Sequence, residues 1–382
     1  MSSRRDRVVE LASPFGFALV GIAPAKPSRH SDFVRAWVAK GSHGEMAYLA
    51  DHLDVRLDPG KLLAGAESVI CVADRHHTEA HRAPEGRPPH GRIARYAFGR
   101  DYHKIIKKRL HQLADRLKEH YPDERFRCTV DTAPILEREY AALARLGWIG
   151  KHTLLIHPRI GSYLLMGTIV TTLKLVDDDA TCPDLPEPDH CGTCTRCIDA
   201  CPTQCISRSG PRALDASRCI SYLTIEHRSP IDPALHPLMG DWIAGCDVCQ
   251  EVCPHNRERA DEIERDMGDA SQRSPRGFCA PLAVGYHPDY TPRPPAPGIS
   301  LLDILDWSED DRRSAFQGSA LKRIKLDMLK RNALIALSNS PVFSRDASIR
   351  ERVRQLANDA TQPELVRVTA RQVLDRLAAD NG

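Results

Sequence analysis

The chain has 382 residues, which is long enough for two or three domains that each bury a core. Its formal net charge of +2 does not by itself indicate a nucleic-acid partner, and no apolar run is long enough to predict a membrane span. The first residues do not resemble a secretory signal. We therefore expect a cytoplasmic protein, in which dense cysteines bind metal rather than pair as disulfides.

The first part of the chain, residues 1–175, predicts an α/β domain. Residues 103–120 place apolar side chains at the spacing of one helix face, and residues 134–148 predict a second helix with Pro134 near its first turn. Three apolar stretches rich in β-branched residues are typical of strands: 68–73, 126–134 and 162–175.

The rest of the chain divides into three further segments by composition. Residues 176–260 begin with an acidic, proline-rich joint and contain most of the cysteines, which predicts a ferredoxin-like module. Residues 261–300 are polar and proline-rich, which predicts a loop-like connection. Residues 301–382 predict an all-α domain of short antiparallel helices similar to HEAT repeats.

Two cysteine elements predict a pair of iron–sulfur clusters. The run Cys191-x2-Cys194-x2-Cys197-x3-Cys201-Pro202 has the bacterial ferredoxin spacing, in which three thiolates face one cluster and the fourth binds the other. The second element, Cys246-x2-Cys249-x3-Cys253-Pro254, has one cysteine fewer, and Cys219 can supply the missing ligand. One [4Fe-4S] cluster then takes Cys191, Cys194, Cys197 and Cys253, and the other takes Cys201, Cys219, Cys246 and Cys249.

Structural zinc is the competing interpretation, because zinc also binds Cys-x2-Cys pairs through four thiolates. Three closely spaced cysteines that end in Cys-Pro, beside a second Cys-Pro element, favour iron and sulfur. Cys182 and Cys205 are left over, and Cys205 is predicted to be a bystander. The isolated cysteines are predicted to be small buried hydrophobes: Cys71, Cys128 and Cys279.

Several stretches resemble the epoxyqueuosine reductase family over nearly the whole chain: 130–170, both Cys-Pro elements, 219–231 and 320–337. The resemblance implies a cobalamin-dependent oxidoreductase of tRNA queuosine synthesis. It implies that two electrons and two protons remove the epoxide oxygen of epoxyqueuosine at the tRNA wobble position as water. Cobalamin binding and catalysis would then belong to residues 1–175, and tRNA binding to residues 301–382.

The resemblance implies a mode of cobalamin binding as well. Cobalamin proteins that supply a lower histidine ligand have an Asp-x-His-x-x-Gly signature. Asp101-Tyr102-His103 comes nearest to it here, but Ile106 occupies the glycine position. Histidine ligation of cobalt is therefore not expected. The resemblance implies base-off cobalamin with its cobalt close to a cluster, which agrees with the absent motif.

Asp131 is the proton donor that the resemblance implies. To donate near pH 7 its pKa must be raised, either by burial or by the apolar corrin surface. The alternative is that Asp131 caps the helix that starts near Pro134.

Other cofactor contacts follow from the resemblance alone. Each has an ordinary structural explanation: a surface ion pair for Arg56, core packing for Leu155 and Met166, and a turn cap for Asp247. The set implied to contact cobalamin is Arg56, Ala97, Asp131, Leu155, Met166, Ser221 and Asp247.

A tRNA partner requires positive surface that overall charge conceals. Five basic residues cluster in the predicted C-terminal helices: Lys322, Arg323, Lys325, Lys330 and Arg331. Because the helices come after a redox module, we interpret this cluster as a grip on the anticodon stem-loop rather than as a merely solvated face. The residues predicted to contact tRNA are Lys322, Arg323 and Lys325.

Two other functions would also explain part of the sequence. A corrinoid reductive dehalogenase-like enzyme also combines paired clusters with base-off cobalamin, but usually has an export signal and no basic helical tail. A ferredoxin-type electron carrier would account for the cysteines and leave the remaining segments without a role. The expected protein is a monomer that receives electrons from an unidentified donor.

Overall fold

The computed structural model of the protein describes residues 4–76, 89–176, 190–256, 287–296 and 298–380. In chain order the described strands are β1 Leu19–Pro24, β2 Ser68–Arg75, β3 His90–Ile93, β4 Phe126–Thr129, β5 Trp148–Ile149, β6 Leu155–Ile156, β7 Leu164–Thr171, β8 Trp242–Ala244 and β9 Gly298–Ser300.

The described α-helices are α1 Arg4–Ala12, α2 Ser31–Ala39, α3 Tyr48–Asp51, α4 Leu53–Arg56, α5 Pro59–Leu62, α6 Tyr102–His120, α7 Glu137–Leu143, α8 Arg196–Ala200, α9 Ile220–Ile225, α10 Val248–Glu251, α11 Leu301–Asp306, α12 Glu309–Ala315, α13 Leu326–Ser338, α14 Pro341–Arg345, α15 Ala347–Asn358 and α16 Glu364–Asp380. Short 3-10 helices include Arg95–Ala97, Ala216–Arg218 and Ala320–Arg323. Within these described ranges, no helix has the length and apolar character needed to span a membrane.

A four-stranded antiparallel sheet with the order β1-β2-β7-β4 forms the N-terminal core. Successive side chains of a strand point to opposite faces, and β2 uses both. Ile70 and Val72 pack against α1 and α6, whereas Val69 and Cys71 pack on the side of α7. The sheet therefore lies between two helical layers, as expected for the predicted α/β region.

The helix predicted at 103–120 is confirmed by α6, but the helix predicted at 134–148 is shorter than expected. Helix α7 begins at Glu137 and ends at Leu143. Arg145 then adopts the left-handed region with φ 63°, which ends a helix. The strand predicted at 126–134 also stops early, at Thr129, so Asp131 lies in the turn between β4 and α7.

A second sheet, β8-β3-β9, joins parts of the chain that are far apart in sequence. Strand β3 pairs parallel with β8 and antiparallel with β9. Ile93, Ile243 and Ile299 pack in one core with apolar residues of α13 and α16, including Leu329 and Val366. The C-terminal helices and the cysteine-bearing segment thus share a hydrophobic core.

The basic cluster predicted in the helical region is only partly exposed. Lys322, Arg323 and Lys325 are exposed. Lys330 and Arg331 are buried, so the expectation that they belong to an RNA-facing surface is wrong. The helix that carries them, α13, packs into the core on nearly all sides.

Arg331 has a structural role instead. Its guanidinium donates hydrogen bonds to the carbonyl oxygens of Leu223 at 2.7 Å, His227 at 2.7 Å and Ser229 at 2.8 Å. These carbonyls lie at the end of α9 and in the loop that follows it, where no regular ladder would pair them. Arg331 therefore fixes the segment that begins just after Cys219.

Candidate active site and cluster module

Asp131 lies at a junction between the sheet and helix α6. Its Oδ2 accepts a hydrogen bond from the Tyr102 hydroxyl at 3.0 Å and lies 3.0 Å from His103 Nε2. Its side chain is 49% exposed, so substrate can reach the carboxylate from solvent. Asp131 has φ 52°, a left-handed conformation that costs a non-glycine residue energy and is often found at functional sites.

The turn that carries Asp131 is fixed by Glu137 and is not a helix cap. The Asp131 backbone N–H donates to Glu137 Oε1 at 2.9 Å. The residue before α7 is Leu136, and no side chain caps that helix. The alternative interpretation of Asp131 as a helix cap is therefore excluded.

His103 connects Asp131 to a second carboxylate. His103 Nδ1 lies 2.7 Å from Asp101 Oδ1, and its other ring nitrogen faces Asp131. Asp101 also accepts from the His103 backbone N–H and thereby caps α6. The sequence analysis treated Asp101 and His103 only as an incomplete cobalt-ligand motif. The sequence signal that could have predicted their pairing is an Asp-x-His at the start of a strongly periodic helix.

The pKa of Asp131 is lowered, which contradicts the expectation that it is raised. Burial works to raise this pKa, but the hydrogen bond and charge of His103, the hydrogen bond of Tyr102 and the charge of Arg323 outweigh it. Asp131 is thus ionised at neutral pH in this structure. A proton that Asp131 delivers must therefore first come from elsewhere.

Two neighbours of Asp131 hold protons at neutral pH. Burial lowers the pKa of His103, but its hydrogen bonds and charge interactions with Asp101 and Asp131 raise it overall to about 9. Burial and the charge of Asp131 raise the pKa of Glu137 to about 8. His103 is therefore an imidazolium at pH 7, and Glu137 is a neutral acid.

The cysteines predicted to bind the clusters lie near one another, and their assignment to two ligand sets stays a prediction. Cys191, Cys194, Cys197 and Cys253 line one cavity together with His190 and His255. For the second group, burial raises the pKa of Cys249, and the nearest thiols that add to this effect are Cys246 and Cys219. Burial likewise raises the pKa of Cys246, with Cys219 and Cys201 adding to the increase.

The remaining cysteines have varied positions. Cys205 Sγ is buried, lies 3.5 Å from Cys201 Sγ and also interacts with the Cys219 thiol, so it contacts two predicted ligands of the second cluster. Cys71 is buried, as predicted, and Cys128 is half-buried. Cys182 and Cys279 lie outside the described residues. In the described ranges, no group of three or more His, Cys, Asp or Glu side chains is gathered as a site for one metal ion. The cluster assignment therefore rests on the grouping of the thiols and their spacing.

Asp131 and the second cysteine group share a neighbourhood. Burial raises the pKa of Tyr96, and Asp131 and Asp247 both act on it in the same direction. Burial lowers the pKa of Arg138, and the negative groups that oppose this effect include Asp131 and Cys249. Tyr96 and Arg138 are therefore both within electrostatic range of Asp131, Tyr96 also of Asp247 and Arg138 also of Cys249.

Arg56 lies close to Asp131. Burial lowers the pKa of Arg56, and Tyr48, Asp131 and Glu137 oppose this effect. Its Nη2 donates a long hydrogen bond of 3.4 Å to the Tyr48 carbonyl. Its Nε is buried and has no hydrogen-bond partner among the described residues. Arg56 is therefore not engaged in the surface ion pair that was its alternative explanation.

Asp247 is held in an ion pair rather than in a turn cap. It is 2% exposed and accepts from the Arg95 backbone N–H at 2.8 Å, with the Arg95 guanidinium 3.5 Å away. Its side chain makes no capping bond to α10. Ser221 is half-buried in α9, two residues after Cys219.

The apolar residues implied to contact cobalamin lie in the core. Leu155 is 2% exposed and shares the core on the α7 side of the sheet with the partly buried Met166. Ala97 is 7% exposed and packs with Ile93 and Phe98 in the other core. Its neighbour Tyr96 lies within electrostatic range of Asp131.

Comparisons with known proteins place these features in a family. Residues 56–132 match the family described as "Epoxyqueuosine reductase QueG, DUF1730", and residues 190–256 match the "4Fe-4S double cluster binding domain". An epoxyqueuosine reductase of Pseudomonas aeruginosa is 37% identical over 328 residues, which cover 85% of this chain and 82% of that protein. The chain belongs to the epoxyqueuosine reductase family. It is an oxidoreductase, and its double-cluster domain supports the two predicted [4Fe-4S] clusters.

Other epoxyqueuosine reductases agree with this assignment. The Escherichia coli protein is 37% identical over 338 residues, which cover 88% of this chain and 81% of that protein. A crystal structure of an epoxyqueuosine reductase with an epoxyqueuosine-modified tRNA stem loop superposes with a TM-score of 0.80 and 25% identity, covering 97% of this chain and 89% of that chain. A Bacillus subtilis structure with its catalytic aspartate loop swung out of the active site also has a TM-score of 0.80, at 25% identity, covering 97% of this chain and 90% of that chain.

Family membership decides between the functions that the sequence left open. A ferredoxin-type carrier would match only over the cysteine segment, whereas this similarity extends over 85% of the chain. The matched relatives are named as reductases of epoxyqueuosine rather than as dehalogenases.

Proposed function

We propose that the protein reduces epoxyqueuosine to queuosine at the wobble position of tRNA, using base-off cobalamin and two [4Fe-4S] clusters. The observation that carries the proposal is the position of Asp131. It is an exposed carboxylate beside a protonated histidine, and it shares Tyr96 and Arg138 with the residues of the second cysteine group. A proton source thus lies within electrostatic range of Arg138, which Cys249 of the second cysteine group also influences.

The residues around Asp131 suit a corrinoid. A corrin ring has amide groups along its edge that accept hydrogen bonds, and two buried polar atoms here have no partner among the described residues: Arg56 Nε and Thr153 Oγ1. Arg138 donates to the Thr153 carbonyl at 3.2 Å, which places Thr153 in the same region. When bound, cobalamin supplies a reduced, strongly nucleophilic metal centre for the bond-breaking step.

The protein's own part in the reaction is to move protons and hold the substrate. As the epoxide C–O bond opens, negative charge grows on oxygen, and a donor within hydrogen-bond reach lowers the barrier. Among the described residues, both side-chain partners of the Asp131 carboxylate contact Oδ2, which leaves Oδ1 for the substrate. Asp131 is therefore the group that delivers the proton to the departing oxygen.

The exposed basic residues favour a tRNA substrate at the same opening. Lys322 Nζ lies 3.8 Å from Asp101 Oδ2, and the Arg323 guanidinium pairs with Glu226. Arg323 also acts on the pKa of Asp131. Lys322 and Arg323 belong to the 3-10 helix Ala320–Arg323. If this helix binds tRNA phosphates, the wobble nucleotide would lie close to Asp131.

Reversing the charge of Lys325 should weaken tRNA binding. Lys325 is exposed just before α13 and is separated by sequence from the Asp101 pair, so Lys325→Glu leaves the proton donors in place. We expect affinity for an anticodon stem-loop to fall roughly tenfold at moderate salt, and the salt dependence to decrease by about one phosphate contact. Fluorescence anisotropy over a salt series measures both.

Lys118→Glu is the matched control for this change. Lys118 is an exposed cation in the last turn of α6, at the opposite end from Asp101. At 1.5 Å of rise per residue, Lys118 lies roughly 26 Å along the helix axis from Asp101. Equal weakening by both substitutions would mean that overall charge, rather than this surface, governs tRNA binding.

The function itself is tested by conversion of the modified base. Protein purified without oxygen, supplied with cobalamin and chemically reduced, should convert epoxyqueuosine in tRNA to queuosine. Mass spectrometry of the digested nucleosides detects the loss of one oxygen. Absence of queuosine, with both clusters and cobalamin bound, would contradict the proposal.

A further inference from the structure

The mechanism above uses Asp131 but assigns no step to His103 and Asp101, which continue the hydrogen-bonded chain behind it. Each ring nitrogen of His103 faces a carboxylate oxygen, at 2.7 Å for Asp101 and 3.0 Å for Asp131. Two ionised carboxylates can both be satisfied only when both nitrogens carry hydrogen, because a neutral imidazole has one donor. The geometry thus stores a proton next to the group that must deliver one.

His103 is also accessible for reloading. Its side chain is 23% exposed, and its ring stacks on Tyr102 with centroids 4.0 Å apart. Asp101 fixes the ring through Nδ1, as an orienting carboxylate does for a catalytic histidine. The other charged or titratable groups that surround this chain are Arg56, Tyr96, Glu137, Arg138, Lys322 and Arg323.

We propose that His103 is the proton reservoir of the reaction and protonates Asp131 during each turnover. The bond from hydrogen to His103 Nε2 breaks, a bond from hydrogen to the Asp131 carboxylate forms, and Asp131 passes that proton to the epoxide oxygen. Solvent then returns a proton to His103, and a second transfer by the same route supplies the second proton with which the oxygen leaves as water. This inference rests on the proposed function, which supplies the two electrons through the clusters.

The stoichiometry of the reaction supports a reservoir. Removing an epoxide oxygen as water consumes two protons with two electrons, and a single carboxyl group holds at most one proton. Asp131 is ionised before substrate binds, because His103 and Tyr102 stabilise its charge. Asp131 in this structure therefore begins each turnover without a proton of its own, whereas His103 beside it holds one.

The test compares two side chains that bond to the same carboxylate oxygen. His103 and Tyr102 both contact Asp131 Oδ2 at 3.0 Å, but only His103 has a proton that it can release near neutral pH. Burial and Asp131 raise the pKa of Tyr102 far above its usual range. His103→Gln removes the reservoir and keeps a hydrogen-bond donor, whereas Tyr102→Phe removes a hydrogen bond and keeps the reservoir.

Single-turnover rates of the reduced, cobalamin-loaded enzyme on tRNA are measured from pH 6 upward. The pKa of His103 is raised to about 9, so the wild-type rate should persist below this pH and fall as pH rises through it. His103→Gln should slow the reaction by about 100-fold and abolish this fall, while Tyr102→Phe should retain it.

Glu137 is nearby and its pKa is raised to about 8, so it could also cause a fall in rate at high pH. A further variant tests whether the fall comes from His103. Asp101→Asn removes a carboxylate that faces His103, and should move the fall to lower pH. An unmoved fall in Asp101→Asn, or a His103→Gln rate within twofold of wild type, would overturn the reservoir.

Failure of the proposed function gives a different result. If the wild-type enzyme, with both clusters, cobalamin and tRNA bound, produces no queuosine, then the proposed function fails and the reservoir fails with it. If wild type converts the base and the variants do not show the predicted pH profiles, only the reservoir is lost. Cluster absorbance, cobalamin binding and tRNA affinity, measured for each variant, keep the two outcomes distinct.

Discussion

Replacing Asp131 with Asn should reduce single-turnover conversion of epoxyqueuosine by about 100- to 10,000-fold, the range expected for loss of a positioned proton donor. The amide has nearly the same shape and can still accept hydrogen bonds from Tyr102 and His103 through its oxygen. It cannot accept a proton from His103 and pass it on. The measurement is the rate of queuosine formation by enzyme that is already reduced.

Asp310→Asn is the matched control, since Asp310 lies on α12 with 89% of its side chain exposed. It should react at the wild-type rate. Iron content, cobalamin binding and tRNA affinity of Asp131→Asn should match those of wild type. A wild-type rate in the Asp131 variant would remove Asp131 from the reaction.

Replacing Cys219 with Ala should remove one cluster and leave the other. Four thiolates hold each [4Fe-4S] cluster, and Cys219 is the ligand that comes from outside the two Cys-Pro elements. We expect iron content after anaerobic reconstitution to fall from about eight to about four atoms per chain. Electron transfer to the site beside Asp131 should then be lost, and with it turnover.

Cys205→Ala is the matched control for the cluster assignment. Cys205 Sγ lies 3.5 Å from Cys201 Sγ, so it is the nearest competing thiol. As a bystander its loss should leave about eight iron atoms in place. If Cys219→Ala keeps both clusters and Cys205→Ala loses one, then Cys205 is the cluster ligand and Cys219 is the bystander.

Local patterns in the sequence predicted much of this structure. Helix α6 follows from apolar residues at one helix spacing, and its observed bounds differ from the prediction by one residue at the start. The cysteine elements could be assigned because cluster spacing is a short-range property of the chain. The continuous apolar composition of β2 likewise indicates a strand that is buried on both faces, as it is between the two helical layers.

The proton-transfer chain could not be predicted, because it depends on contacts between distant segments. Asp101 and His103 belong to the start of α6, and Asp131 follows β4 some 28 residues later in the sequence. Only the packing of α6 against the sheet brings these residues within hydrogen-bond distance. The same packing explains why the pKa of Asp131 is lowered, since burial alone would have raised it.

Arg331 illustrates a second limit of sequence reasoning. A cation in a helix rich in Lys and Arg is usually solvated. For this reason the sequence analysis predicted that Arg331 is exposed together with its basic neighbours. The structure buries it completely because three backbone carbonyls of another segment require donors. The need for those donors cannot be seen until the loop after α9 and helix α13 are placed together.

The most direct test of the account uses protein in which both clusters have been reconstituted without oxygen. Reduced protein is incubated with epoxyqueuosine-containing tRNA, with and without added cobalamin, and the nucleosides are measured by mass spectrometry. The account predicts queuosine only when cobalamin is present. Equal yields of queuosine without cobalamin, or none with cobalamin bound, would contradict it.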